Sequence, residues 1–383
     1  MLLKNYILIL FLLIGSFSLA QDKGIKKWFK ERQALKAQKI EAGEPFLSPL
    51  LGPGYTPENG FLIAGGMLYT FKTNPKDSLI QRSSLPITAF ISTRGNIGVN
   101  VKLQSFWKED RFRLNVVAKY SDADDDYFGV GMEENQNIEK GDTTSLYHRH
   151  QWFLAPGFLF RIIPNLYLGV NFNLNKTKVT EVNPLMEQDA NYLQFGSENF
   201  NSATGLSLAY DSRDITVNAW KGMYLRFASL FYGSYLGSDN DYETYELDFR
   251  TYHQIYREGN VIATKLYMRA AYGDVPYEEL GRIGGGAALR GYIKGQYRDK
   301  TAIYFMAEWR HMFLKSDGSL SKHGLATWLG TGTVAPSLSD VSEWVPNIGV
   351  GYRLEVQPRM NLRIDFGIGR ESSGLYFGFS EAF

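Results

Sequence analysis

The chain has 383 residues, with 41 Lys and Arg against 40 Asp and Glu, for a formal charge of +1. That balance excludes a nucleic-acid partner held by a basic surface. The absence of cysteine excludes both a disulfide framework and a lipidated N-terminal cysteine.

The first residues read as a secretory signal peptide spanning 1–20. Lys4 supplies the positive end, Tyr6–Ile14 the short apolar core and Ser18-Leu19-Ala20 the cleavage site. The apolar run is too short for a membrane anchor helix. No later apolar run approaches a transmembrane helix, which leaves a secreted β-protein or an outer-membrane barrel. Residues 21–58 read as a periplasmic segment, with a basic helix over Ile25–Ala42 and a Pro/Gly linker over Pro45–Pro57.

From Gly60 onward the side chains alternate with period two. In Asn165–Thr177, Leu166, Leu168, Val170, Phe172 and Leu174 share one face, and Tyr167, Gly169, Asn171, Asn173 and Asn175 share the other. Strands are expected near 60–72, 84–93, 96–106, 112–121, 127–133, 149–162, 165–178, 204–213, 221–235, 242–257, 261–272, 301–314, 323–334, 346–357, 361–370 and 373–383. Runs of ten or more residues, with large aromatics on one face and charges on the other, suit strands that cross a bilayer at a tilt. The expected fold is all-β: a 16-stranded transmembrane antiparallel β-barrel over 59–383. Parity then puts Arg94-Gly95-Asn96, Ile163-Pro164-Asn165, Arg257–Asn260 and Gln357–Met360 on the periplasmic side. Glu134–Tyr147, Glu181–Ser202 and Gly273–Lys300 become long outer loops.

The last of these loops contains Gly281–Tyr292, GRIGGGAALRGY. Gly284, Gly285 and Gly286 permit a backbone that folds back into a confined space. Arg290 would carry a permanent charge into that space and need an acidic partner.

Several stretches resemble the BamA/TamA-like outer-membrane proteins, the bacterial surface antigen family. Gly205–Gly222 (GLSLAYDSRDITVNAWKG) is similar to that family's strand, ionic turn and following strand, with Asp211, Arg213 and Asp214 as the turn motif. Gly284–Tyr292, followed by Glu308-Trp309-Arg310, resembles the sixth outer loop and the next strand. Leu289, Arg290, Gly291 and Tyr292 match the (V/I)RG(F/Y) signature, with Leu289 in place of Val or Ile. Gly349–Gly369 resembles the penultimate hairpin. Phe379 and Phe383 resemble the C-terminal signal, with Leu375, Phe377, Phe379 and Phe383 expected on one lipid-facing side. The resemblance implies a barrel with an inward-folded sixth loop and a role in assembling, inserting or translocating proteins at the outer membrane. It implies no cofactor, and lipid, unfolded client proteins or assembly-complex subunits as partners.

Two departures stand out. The family's periplasmic POTRA repeats have no room before residue 60. The third place of the strand motif Trp328–Val334 holds Gly330, where the family has an aspartate that can pair with the loop arginine. Strand parity offers Glu308 and Asp365 as inward partners for Arg290, with Asp340 and Glu343 as loop alternatives. The resemblance also suggests a weak seam between first and last strands; Gly65 and Gly66 in the expected first strand suit it, and equally suit ordinary close packing.

Other chemistry is sparse. His148 and His150 form an HxH pair without an accompanying carboxylate, and read as a strand end at headgroup level rather than a metal site. Asp122, Asp124, Asp125 and Asp126 read as a solvated turn. No serine has a nucleophile-elbow context. The alternatives to an assembly factor are an accessory subunit or passive pore, and then an outer-membrane enzyme.

Overall fold

The computed structural model describes residues 42–383 except 78–79, 133–139, 142–143 and 371, together with Glu31, Ala34, Leu35, Gln38 and Lys39. The expected signal peptide lies outside the described residues. The five isolated positions are helical, within the stretch expected to form the basic helix.

Strands follow in order as β1 (Phe46–Thr56), β2 (Gly60–Phe71), β3 (Ser83–Ser92), β4 (Ile97–Trp107), β5 (Phe112–Asp126), β6 (Leu146–Ile163), β7 (Leu166–Glu181) and β8 (Glu198–Asp211). They continue as β9 (Gly222–Tyr232), β10 (Tyr242–Gln254) and β11 (Asn260–Gly273). A small loop hairpin comes next, β12 (Gly281–Ile283) and β13 (Tyr297–Asp299). The wall resumes with β14 (Thr301–Leu314), β15 (Leu320–Ala335), β16 (Val345–Gln357), β17 (Met360–Ile368) and β18 (Ser373–Phe379). All except the loop hairpin form one antiparallel sheet of 16 strands, each paired with its neighbour in sequence. The sheet curls until β18 lies beside β1, which makes a nearly closed barrel.

Alternation decides which face is wet. In β7, Leu168, Phe172 and Leu174 are exposed, whereas Tyr167, Asn173 and Asn175 are buried. The outer wall therefore carries Trp152, Phe158, Phe160, Leu206, Phe227 and many more exposed apolar side chains. A continuous apolar belt of this kind suits lipid rather than water. The inner wall is polar and charged.

The strand count agrees with expectation, but its membership differs at the N-terminal end. The barrel begins at Phe46 rather than residue 59, because Phe46–Thr56 (FLSPLLGPGYT) is a strand and not a linker. Its Pro and Gly content reads as loop, yet prolines are tolerated on an edge strand, where no neighbour needs their N–H. The pairing to β2 runs through Pro49 and Pro53 without a shift in register. The expected strand 127–133 is absent among its described residues. Tyr127 and Phe128 are buried, Gly129 and Gly131 have positive φ, and Gly131 N–H donates to Arg298 C=O at 2.9 Å, so the segment folds onto the sixth loop.

One strand gained and one lost invert the parity of the first connectors. Arg94-Gly95-Asn96 therefore lies at the long-loop end: Asn96 Nδ2 donates to Asp124 C=O at 3.3 Å, beside the start of the connector between β5 and β6. Gly65 and Gly66 belong to β2, away from the seam. A Cβ on Gly66 would sit 2.0 Å from the Ile87 carbonyl oxygen of β3, so close strand packing accounts for that glycine.

The connectors 182–197 and 274–300 lie at one end, and 315–319 lies at the other. An epitope tag inserted near Gln188 should be labelled on intact cells, and one near Gly318 should not. Labelling of Gly318 alone would reverse the assigned orientation.

Candidate functional site: the sixth loop and its seat

The connector between β11 and β14 is the sixth at its end of the barrel. It enters as a single 3-10 turn at Tyr277–Glu279 and continues into the β12–β13 hairpin. Gly284 and Gly285 then adopt φ of +101° and +86°, a region that side chains rarely visit. A Cβ on Gly284 would lie 2.3 Å from the Ile293 carbonyl oxygen, so the loop can double back only with glycine there. Gly286 has no such φ and instead lies against the Tyr376 ring.

The reversal drives Leu289–Tyr292 against the inner wall. Leu289, Arg290 and Tyr292 are almost completely buried. Leu289 fits a hollow left by two glycines of β15: added Cβ atoms on Gly330 and Gly332 would stand 3.3 and 2.4 Å from its methyl carbons. Gly330, where the resembling family carries an aspartate, thus supplies space instead of charge.

The Arg290 guanidinium stacks 3.4 Å above the Trp328 ring. Its Nη1 donates to Asp365 Oδ2 at 2.7 Å, and its Nη2 donates to Glu308 Oε2. Glu308 stands on β14 and Asp365 on β17, so one side chain joins two rigid strands that are not neighbours. Other cations share the carboxylates. Arg310 Nε donates to Glu308 at 2.7 Å, Arg363 Nη1 to Asp365 at 2.6 Å, and Arg353 bridges Asp365 at 2.5 Å and Glu381 at 2.9 Å. Charges removed from water this completely are tolerable only when paired and hydrogen-bonded.

Asp340 and Glu343 belong elsewhere. Asp340 accepts from Ser337 Oγ at 2.6 Å, and Glu343 pairs with Arg370.

The backbone of the motif is held as closely as its charge. Gly291 has φ +122° and lies against the backbone of Ile368 and Gly369. Its N–H donates to Tyr376 Oη at 3.0 Å, and Ser372 Oγ donates to its carbonyl at 2.7 Å. Tyr292 Oη donates to the Pro346 carbonyl at 2.6 Å and accepts from Arg370 N–H at 2.7 Å. Asn347 Nδ2 donates to the Arg290 carbonyl.

Sequence reasoning missed this seat, namely Asn347, Gly367, Gly369 and Tyr376. One signal was present. Gly367 and Gly369 stand two residues apart, and an added Cβ there would meet the Arg290 backbone and the Tyr292 ring, so the pair leaves room for another chain segment.

The other sequence candidates are peripheral. Arg213 makes a two-pronged contact with Asp211 at 2.8 and 3.0 Å. Asp214 Oδ1 accepts from the Ile215 and Trp220 amides at 2.9 and 3.0 Å, and its Oδ2 accepts from Arg359 Nη2 at 2.8 Å. Burial alone would raise the Asp214 carboxyl, but Arg359 and the Trp220 amide outweigh it and hold it below the usual range. These contacts tie the β8–β9 turn to the β16–β17 turn.

Phe379 is exposed on the outer wall, as its place in the alternation requires. Phe383 is not. Ser380 takes φ +65°, the period breaks, and Phe383 turns inward, with Arg310 5.0 Å above its ring. A cavity of about 1240 Å³ remains beside the loop, lined in part by Lys102, Lys119, Arg282 and Lys294. Arg282, helped by burial, pushes the Lys294 ammonium down to about 8.

A family model described as the Omp85 superfamily domain matches residues 92–383. The chain belongs to the Omp85 superfamily. No curated protein sequence matches it significantly. Among solved structures, the Omp85 barrel is similar to BamA from Haemophilus ducreyi lacking POTRA domains 1–3. The TM-score is 0.57 at 16% identity, over 87% of this chain and 70% of that one. It is also similar to CdiB from Acinetobacter baumannii, with TM-score 0.52 and 11% identity, and to CdiB from Escherichia coli, with TM-score 0.54 and 10% identity. Each of these alignments covers 88% of this chain but only 59% and 62% of the respective CdiB chains. At these identities the likeness is one of fold. An Omp85 barrel is an outer-membrane protein, in keeping with the apolar outer belt.

Proposed function

We propose that this Omp85 barrel assists the insertion or translocation of proteins at the outer membrane, with unfolded outer-membrane proteins or assembly subunits as its partners. The observation that carries the reading is the seam. Among the described residues, β1 and β18 lie side by side without a strand ladder: an added Cβ on Gly52 would be 3.0 Å from the Phe379 ring, yet pairing stops at each strand. A wall with one unladdered joint opens there first. The locked loop supports the same reading, because it braces β14, β15, β16 and β17, the strands leading to that joint. No residue is assigned a catalytic role.

Depletion followed by quantitative proteomics of the outer membrane tests the proposal. Selective loss of other β-barrel proteins is expected, and an unchanged outer-membrane proteome would refute it. The basic cavity favours a second reading, a passive or accessory pore. Steady single-channel conductance in planar bilayers, together with an unchanged proteome, would select that one.

A further inference from the structure

Two stretches that look unrelated in sequence meet on the outer wall near the long-loop end. The aspartates 122–126 belong to β5 and not to a turn. The register sets Asp122 opposite His150 and Asp124 opposite His148 on β6. Lys119, Gln151 and Phe153 line the lumen cavity, so alternation turns the even-numbered residues here outward. One step towards the membrane, Tyr120 and Trp152 pack at 4.3 Å between ring centroids on the same face. The HxH pair therefore does have carboxylates beside it.

We propose that Asp122, His148 and His150 bind a divalent transition-metal ion of the zinc type on this outer rim. One donor atom from each residue falls within 4.8 Å of the other two. His148 Nε2 lies 2.9 Å from Asp122 Oδ1, and His150 Nδ1 lies 3.6 Å from Asp122 Oδ2. Ligands bound tetrahedrally at about 2.0–2.2 Å stand roughly 3.3–3.6 Å apart, so small side-chain rotations bring all three to bonding distance. Two imidazoles and one carboxylate favour zinc, nickel or copper over magnesium or calcium, which prefer oxygen donors.

Asp124 completes the arrangement as a positioning residue. It lies 2.7 Å from His148 Nδ1, and by accepting that proton it leaves Nε2 free to face the ion. The neighbouring cations do not oppose binding: Lys176 and Lys178 pair with Glu198 at 2.8 and 3.5 Å. Arg149 donates to Asp125 Oδ2 at 2.9 Å, on the alternate side of the strand. Three protein ligands leave a coordination position open towards the headgroup layer. The ion would fasten β5 to β6 at the base of the loop that joins them.

Titration calorimetry of the untagged, detergent-solubilised barrel with zinc tests the site. The expected result is one ion per barrel with micromolar or tighter affinity. His150→Gln and Asp122→Asn should each weaken it by at least tenfold, and Asp124→Asn by about tenfold. Cobalt should give a visible tetrahedral absorption band in the wild type that His148→Gln abolishes. Heat-modified gel mobility checks that each variant is folded. Equal zinc affinity in the wild type and a folded His148→Gln/His150→Gln double variant would overturn the proposal. So would calcium binding as tightly as zinc, which would reveal only an acidic patch.

Discussion

Arg290→Ala should release the sixth loop while the barrel stays folded. Truncating one partner of a desolvated ion pair typically costs about 3–5 kcal/mol, against roughly 0–1 kcal/mol for an exposed pair. Arg290 belongs to the first class, since its side chain and those of Glu308 and Asp365 are fully buried. The carboxylates left behind keep Arg310, Arg353 and Arg363, so the wall retains compensating charge and the low end of that range applies. The lost energy falls on the loop, which has no other ionic hold on β14 and β17 among the described contacts. About 3 kcal/mol corresponds to roughly a hundredfold rise in the open population. Trypsin cleavage within residues 274–300 of the folded barrel reads that population directly. Cleavage at the wild-type rate would show that the arginine does not anchor the loop. Arg290→Lys should fall between, because one ammonium cannot reproduce the planar fork that reaches both carboxylates.

Gly367→Ala should unseat the same loop with every charge in place. A Cβ at Gly367 would stand 2.1 Å from the Arg290 carbonyl oxygen and 2.4 Å from its carbonyl carbon. Both are backbone atoms, so no rotamer change relieves the clash. Overpacking costs typically about 1–3 kcal/mol, and here the loop is the part able to move. The test is the rate of trypsin cleavage within residues 274–300 of the folded Gly367→Ala barrel, which should rise by roughly fivefold to a hundredfold. Cleavage at the wild-type rate would mean that the glycine serves β17 and not the loop.

The parts of this molecule legible in sequence are those governed by period two. Alternation in β7 tells lipid face from lumen face without any structure. The same parity puts Glu308 and Asp365 on the inner wall, where they lie. What alternation cannot supply is register and the path of irregular chain. Asp122 and His148 are ordinary strand residues until β5 and β6 are set side by side. Phe128 to Gly131 alternates like a strand but has glycines at positive φ and follows the loop instead. β1 was hidden for the opposite reason, since its prolines and glycines carry loop propensity that the edge position overrides. Phe383 leaves its expected face because one residue, Ser380, breaks the extended backbone.

The prolines of β1 bear on how long any strand could stay at the seam. Pro49 and Pro53 share one parity, and the unbroken ladder to β2 puts both missing N–H groups on the free edge. A visiting strand laid along that edge would find two donors absent within one stretch. At about 1 kcal/mol net for each backbone hydrogen bond, it would be held roughly thirtyfold less tightly than on an edge without prolines. The chemistry of this edge would thus shorten the stay of any strand that paired there.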